Sequence, residues 1–429
     1  MESIELCGDW LRFILTPEIW LAVLGARLRS ARLVLIPGAA LATVSGVLGA
    51  VMGAVWLLSL SGLLPFTPSV LSHPKLMLFG FVYVFIASVA MVLAQRFRNE
   101  EHTSYLRLRI SSPIAMSLGV LLSAFAEPGN MVWLLGYLAA VAGASSAAIY
   151  SVRVLGRPSG PLAAADPLIS SSMILMPLTL ALTMFAELDG VYVFGRPGLP
   201  LLLLLGTPAG MVMGVGIKTV HFRVNIRLRR RAWWLLTPLH VASSSAAYAA
   251  VLLRSGALEL AASLGYLLAS AVWMLSVDAL RRVKSGEQYA RMRERDRVRY
   301  LYFSALYRAA SIWLLVGCVL AVLNSASLLL AHPLWFSLRD AYIHSVAVGF
   351  VGNMILAYSP ILMPSLMSAR MPYTGLTLYP AALLNSGNVL RIVWFIAGSP
   401  GVPLVTIVTS ALYLSGIVMT LHMMHSLGG

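Results

Sequence analysis

Along this chain the apolar residues fall into long runs broken by short polar or arginine-rich intervals. Crossing a bilayer takes about 20 residues of helix, and runs of that order are readable at 35–64, 68–94, 111–126, 130–150, 167–186, 199–217, 234–253, 258–280, 308–330, 340–362, 375–398 and 402–424. The third is the shortest. The pattern predicts an all-α, polytopic membrane protein, a bundle of twelve transmembrane helices. An N-terminal cytoplasmic or interfacial segment over 1–34 precedes a single transmembrane domain over 35–429. Small residues recur every fourth position at Gly206, Gly210 and Gly214 and at Gly46, Ala50 and Ala54. Such stripes let helix backbones approach closely.

Composition agrees with the pattern. The 429 residues are 59% hydrophobic and 11% charged, against about 25% charged in an ordinary soluble domain. A net charge of +15 would suggest a nucleic-acid partner in a soluble protein. Here the charge sits in short loops between spans, where it sets topology against a lipid bilayer, and no nucleic acid is expected. With the N-terminus inside, nearly all of the 31 basic residues fall in inside segments. Lys75, Arg196, Arg254 and Arg339 fall outside, and Arg391 lies within a span. Both termini are therefore expected in the cytoplasm, with the chain multi-pass in the cell membrane. The first 34 residues fit an amphipathic surface segment, with Arg27, Arg29 and Arg32 toward headgroups. Arg281–Arg299 alternates arginine with acidic residues and reads as a solvated helical extension. Cys7 and Cys318 are too far apart in sequence for a disulfide framework, and Cys318 reads as a packing residue. No cleavable signal peptide, nucleotide-binding loop or CxxC pair is evident.

Ionisable residues inside spans are costly and mark functional sites by default. Asp340 opens the tenth span, followed by His344, Gly349, Gly352 and Asn353. Ser72-His73-Pro74-Lys75 opens the second, and Thr67-Pro68 predicts a helix start that would set His73 more than one turn in. Both spans enter from the outside, so the two imidazoles can lie at similar depth near that surface. Two neutral imidazoles on facing helices are axial ligands for a low-spin b-type haem. Arg391, about seven residues from the outer end of the eleventh span by the helical reading, needs an anion. A haem propionate would serve, and so would Asp340. Arg339 and Lys75 are further cations for propionates. His332, in His332-Pro333, is a candidate third metal ligand, for copper. His240, beside Ser243, Ser244 and Ser245, is a candidate metal ligand or the lining of a polar path from the inside. His422 and His425 flank Met423 and Met424 at a spacing that suits a soft metal, or simply an interfacial helix end.

The opening His-x-x-x-Met-x-x-Gly-Phe, His73 to Phe81, and the late His-x-x-x-x-Gly-x-x-Gly-x-Met, His344 to Met354, resemble those of the NnrS proteins. These are haem- and copper-containing membrane proteins of nitric oxide metabolism, similar in layout to subunit I of the haem-copper oxidases and nitric oxide reductases. The resemblance implies that fold, with the low-spin haem between histidines of the second and tenth spans and an eleventh-span arginine facing the propionates. The chain departs from it where copper would bind. The sixth-span histidine, the seventh-span His-His pair and the tenth-span His-x-His are missing, so whether the chain is an enzyme stays open. After the tenth span, Met371-Pro372-Tyr373-Thr374-Gly375 replaces the NnrS Gly-His-Thr-Gly-Arg.

The expectation is a haem b protein of respiratory or nitric oxide metabolism that transfers electrons, binds a gas or supports an oxidoreductase. Its partners would be another respiratory membrane protein or a small electron carrier. The alternative is a secondary transporter without haem, with Pro177, Pro208 and Pro360 breaking helices around Asn353, Asn385 and Asn388. Against it stand the lack of an internal repeat and of an intramembrane carboxylate. A non-catalytic assembly factor is a third reading.

Overall fold

The computed structural model of the protein describes residues 30–60, 62–65, 69, 71–98, 105–156, 165–191, 194–224, 230–277, 279, 290, 292–358, 378–397, 408–409 and 411. These residues form helices and their connections, with no strand among them. Helix α1 is Ser30–Leu60. Helix α2 runs through Ser72–Pro74, a π-helical stretch Lys75–Tyr83, and Val84–Arg98. Then come α3, Leu106–Phe125, α4, Met131–Leu155, and α5, Asp166–Leu188. Helix α6 joins Leu199–Leu201, a π-helical Leu202–Ala209, and Gly210–Val224. Helices α7, Arg230–Leu253, α8, Gly256–Ser276, and α9, Glu294–Leu329, follow. Helix α10 begins as Trp335–His344, turns π-helical over Ser345–Gly352 and continues to Tyr358, and α11 is Tyr379–Ile396.

Each of the first eleven expected spans thus has its helix. Among the described residues, ten helices are long and apolar enough to cross a membrane. The twelfth expected span lies almost wholly outside the described residues, as do the segment 1–29, Cys7, Pro360, His422 and His425. Helix α9 starts at Glu294, so the end of the arginine-rich stretch is continuous with it, as a solvated extension requires. Helix α2 differs from expectation: it starts at Ser72, which puts His73 in its first turn. Pro74 fits there because first-turn N–H groups have no intrahelical acceptor to lose.

Successive helices pack as neighbours, and three lie inside the others. In α2, α6 and α10 the most apolar windows are 83%, 94% and 67% buried, against 33–50% in the other spans. The π-helical stretch of α6 touches those of both α2 and α10. The outer helices expose large apolar side chains, as Met131, Leu135 and Leu138 do on α4, where lipid rather than protein completes the packing. Helices α3 and α4 approach closely, and a Cβ on Gly119 would stand 2.4 Å from the Gly136 carbonyl oxygen.

The glycines of α6 behave as the stripe predicts: Gly210 meets Ser172 and His240, and Gly214 meets Ile169. On α1 the close face is Gly46, Gly49 and Gly53, against Phe81, Met77 and His73 of α2. Gly46 of the expected stripe is thus at the contact, and Ala54 of the same stripe is buried.

Candidate functional site

The first turn of α2 is tied down on two sides. Ser72 Oγ donates to the Ala124 carbonyl at 2.7 Å, and Lys75 Nζ donates to the Ser123 carbonyl at 3.0 Å, both at the end of α3. On the other side His73 Nδ1 lies 2.7 Å from the Gly49 carbonyl oxygen of α1. A carbonyl only accepts, so Nδ1 carries the proton and Nε2 keeps its lone pair. The ring fits because Gly53 has no side chain: a Cβ there would come within 2.6 Å of His73 Cε1 and Nδ1.

His344 repeats the arrangement on α10. Its Nδ1 lies 2.9 Å from the Asp340 backbone oxygen, one turn back, and 3.3 Å from Asp340 Oδ1. Both are acceptors, so Nε2 is again the nitrogen with the lone pair. The Asp340 carboxylate is held from α11 by Arg391, with Nε to Oδ2 at 3.1 Å and Nη2 to Oδ1 at 3.0 Å. The charges of Asp340 and Arg391 act on both imidazoles, and His73 acts on His344. Helices α2, α10 and α11 therefore bring His73, His344, Asp340 and Arg391 into one electrostatic neighbourhood. A π-helical stretch begins two residues after His73 and directly after His344. Such stretches are rare and concentrate at functional sites.

The other expected cations point elsewhere. Lys75 was expected at a propionate, but its ammonium is 2.8 Å from Glu187 of α5, with both side chains 1% exposed. Trp133 Nε1 and Tyr137 Oη donate to the two oxygens of the same carboxylate at 2.9 and 3.0 Å. Arg339 donates to the Phe194 carbonyl and lies 3.6 Å from Glu259 of α8. Burial decides both cases, because a cation out of water needs its anion at hand. Glu187 and Glu259, both buried, correct the expectation that the spans hold no carboxylate. So does Asp166, which is fully buried between Arg98 at 2.7 Å and Lys218 at 2.5 Å. Pairing cations with carboxylates at the same end of the bundle would have found all three.

His332 is exposed, and its Nδ1 accepts from Leu334 N at 3.3 Å in a local turn. His240 is fully buried. Its Nε2 donates to the Gly206 carbonyl at 3.0 Å and lies 3.4 Å from Ser172 Oγ, and its ring meets Tyr266 edge-on at 5.7 Å. Among the described residues, no three histidine, cysteine or carboxylate side chains gather as a metal ion would need. Asn353 and Asn385 bond each other reciprocally at 2.8 and 3.0 Å, and Trp313 Nε1 donates to Asn385 at 2.6 Å. Cys318 packs as expected, buried against Ser270 at 3.1 Å.

Eleven described helices, three of them buried inside the other eight, make up a polytopic membrane protein with the subunit I-like fold of the haem-copper oxidases. A solved structure of a heme-copper terminal oxidase dimer superposes with a TM-score of 0.69 at 12% identity, over 93% of this chain and 84% of the other. At that identity the likeness is one of fold. A family model described as a domain of unknown function (DUF8744) matches residues 212–425, from within α6 onward. No curated protein matches the chain.

Proposed function

We propose that the chain binds a b-type haem between α2 and α10, with His73 and His344 as axial ligands. One observation carries the reading. Both imidazoles anchor Nδ1 on a backbone carbonyl and keep the Nε2 lone pair, on two central helices that share one patch of charge. That is the donor chemistry of an axial ligand, with the partner at the other ring nitrogen fixing tautomer and orientation. The residues thus fit the group. When bound, the haem would supply one-electron redox chemistry. The chain's residues would hold the two rings, seat the His73 ring against Gly53, and neutralise Arg391 with Asp340.

Copper is not part of the proposal. His240 has no further histidine, cysteine or carboxylate ligands gathered with it among the described residues, His332 makes a local turn, and the tenth helix carries Tyr342-Ile343-His344 where the oxidases have His-x-His. With His73 and His344 both holding the haem, electron transfer would be the simplest role. The NnrS resemblance of the motifs around His73 and His344 points to respiratory or nitric oxide metabolism, with a membrane oxidoreductase or a small electron carrier as partner. The charge asymmetry supports a cell-membrane location with both termini cytoplasmic. Asn353 and Asn385, named for the transporter reading, bond each other across α10 and α11.

The test is a reduced-minus-oxidised spectrum of the purified protein in detergent. Sharp α and β bands are expected, lost in His73→Ala and in His344→Ala and kept in His422→Ala. Bands that persist in both His73→Ala and His344→Ala refute the ligand assignment, and a colourless wild-type protein expressed with haem in supply refutes the function.

A further inference from the structure

The haem reading leaves the Asp340–Arg391 pair without a task beyond neutrality, and its position suggests one. We infer that Asp340 and Arg391 are opposed positioning residues that set the reduction potential at His344; the inference rests on haem being bound as proposed above. Both acceptors on the Nδ1 side of His344 belong to Asp340: the backbone oxygen at 2.9 Å and Oδ1 at 3.3 Å. The same carboxylate receives Arg391 through two bonds in the fork geometry that fixes direction as well as distance. Arg391 is in turn steadied over the Phe395 ring, 5.3 Å from its centroid. A negative and a positive charge are thus locked together beside one ligand ring, and both also reach His73.

An oxidised haem iron carries one more positive charge than a reduced one. A nearby carboxylate therefore favours the oxidised form and a nearby guanidinium the reduced form. Burial strengthens both effects, because little water screens them. While the pair is intact the two influences oppose each other. Each charge taken away alone must move the potential, and the two moves must have opposite signs. A pair that merely braced α10 against α11 would not behave so: either loss would loosen the same contact and act in the same direction.

The experiment is a potentiometric titration of the α band in the purified full chain, with haem content per protein measured alongside. Asp340→Asn is expected to raise the midpoint and Arg391→Gln to lower it. Each should shift the reduction equilibrium at least tenfold, about 59 mV for a one-electron couple. Arg391→Lys, which keeps the charge, should stay near wild type, and so should the Asp340→Asn/Arg391→Gln double variant. Single-variant shifts of the same sign, or none at full haem content, overturn the inference and leave the haem reading standing. A wild-type protein without haem overturns both. Where Asp340→Asn does not fold, Arg391→Gln against Arg391→Lys decides alone: equal midpoints overturn the inference.

Discussion

Lys75 and Glu187 allow a quantitative test of how the bundle holds its histidine helices. The pair joins α2 to α5, each side chain is 1% exposed, and the N–O separation is 2.8 Å. Removing one member of such a pair strands the other charge, at about 3–5 kcal/mol. The two losses should not be equal. In Lys75→Met the Glu187 carboxylate keeps Trp133 Nε1 and Tyr137 Oη as donors. In Glu187→Leu the ammonium keeps, among the described residues, the Ser123 carbonyl and the face of Tyr137, whose centroid is 5.3 Å away. Glu187→Leu should therefore fall at the upper end of the range and Lys75→Met below it. The double variant strands no charge but leaves the Trp133 and Tyr137 donors unpaired, each at about 1–3 kcal/mol. It should cost less than the two single losses together, by a coupling of about 3 kcal/mol. Reversible unfolding in mixed micelles of mild detergent and dodecyl sulfate, followed by tryptophan fluorescence, measures all three. Additivity within about 0.5 kcal/mol, or single losses below about 1 kcal/mol as at a solvated pair, would refute the reasoning.

Gly53→Val should push the His73 ring from its seat, since even a Cβ would come within 2.6 Å; the haem bands should weaken or shift while circular dichroism of the helices stays intact. Asn385→Leu should remove two reciprocal bonds to Asn353 and the Trp313 bond. At about 0.6 kcal/mol for each bond between membrane helices, the loss should approach about 2 kcal/mol in the same micelle assay. His240→Phe should lower stability by breaking the bond to the Gly206 carbonyl, yet leave the visible spectrum as in wild type; a changed α band would return His240 to the cofactor site.

Much of the fold was legible because a bilayer imposes a length on every span. The ranges read from hydropathy coincide closely with helices α1 to α11, and even the short third run is a complete helix from Leu106 to Phe125. Which helices lie inside was not legible. Leu202–Leu205 of α6 and Leu134–Leu135 of α4 are equally apolar, yet the first group is buried and Leu135 faces outward. Lipid and protein interior make the same demand on leucine, so hydropathy cannot separate them. The π-helical stretches were invisible too, since a change in hydrogen-bond register leaves no mark on apolar composition. In the candidate site, His73 and His344 stood out as ionisable residues in apolar runs, but their anchors did not. One is a backbone oxygen of Gly49 and the other a backbone oxygen of Asp340, and neither has a side-chain signature.

The charges at the histidine end make sense once the missing hydrophobic force is considered. Lipid tails are as apolar as leucine, so apolar contact alone does not choose which face a membrane helix turns inward. An imidazole that must meet a fixed point needs that rotation chosen. Lys75 binds Glu187 on α5 within one turn of His73. On α10, consecutive residues bind in different directions, Arg339 to Glu259 on α8 and Asp340 to Arg391 on α11. Consecutive side chains on a helix diverge by about 100°, so α10 is gripped from two sides a turn before His344. Rotating either helix would strand at least one buried charge, a loss of several kcal/mol. Cations that the sequence suggested for a ligand are thus engaged in aiming the helices that carry the two histidines.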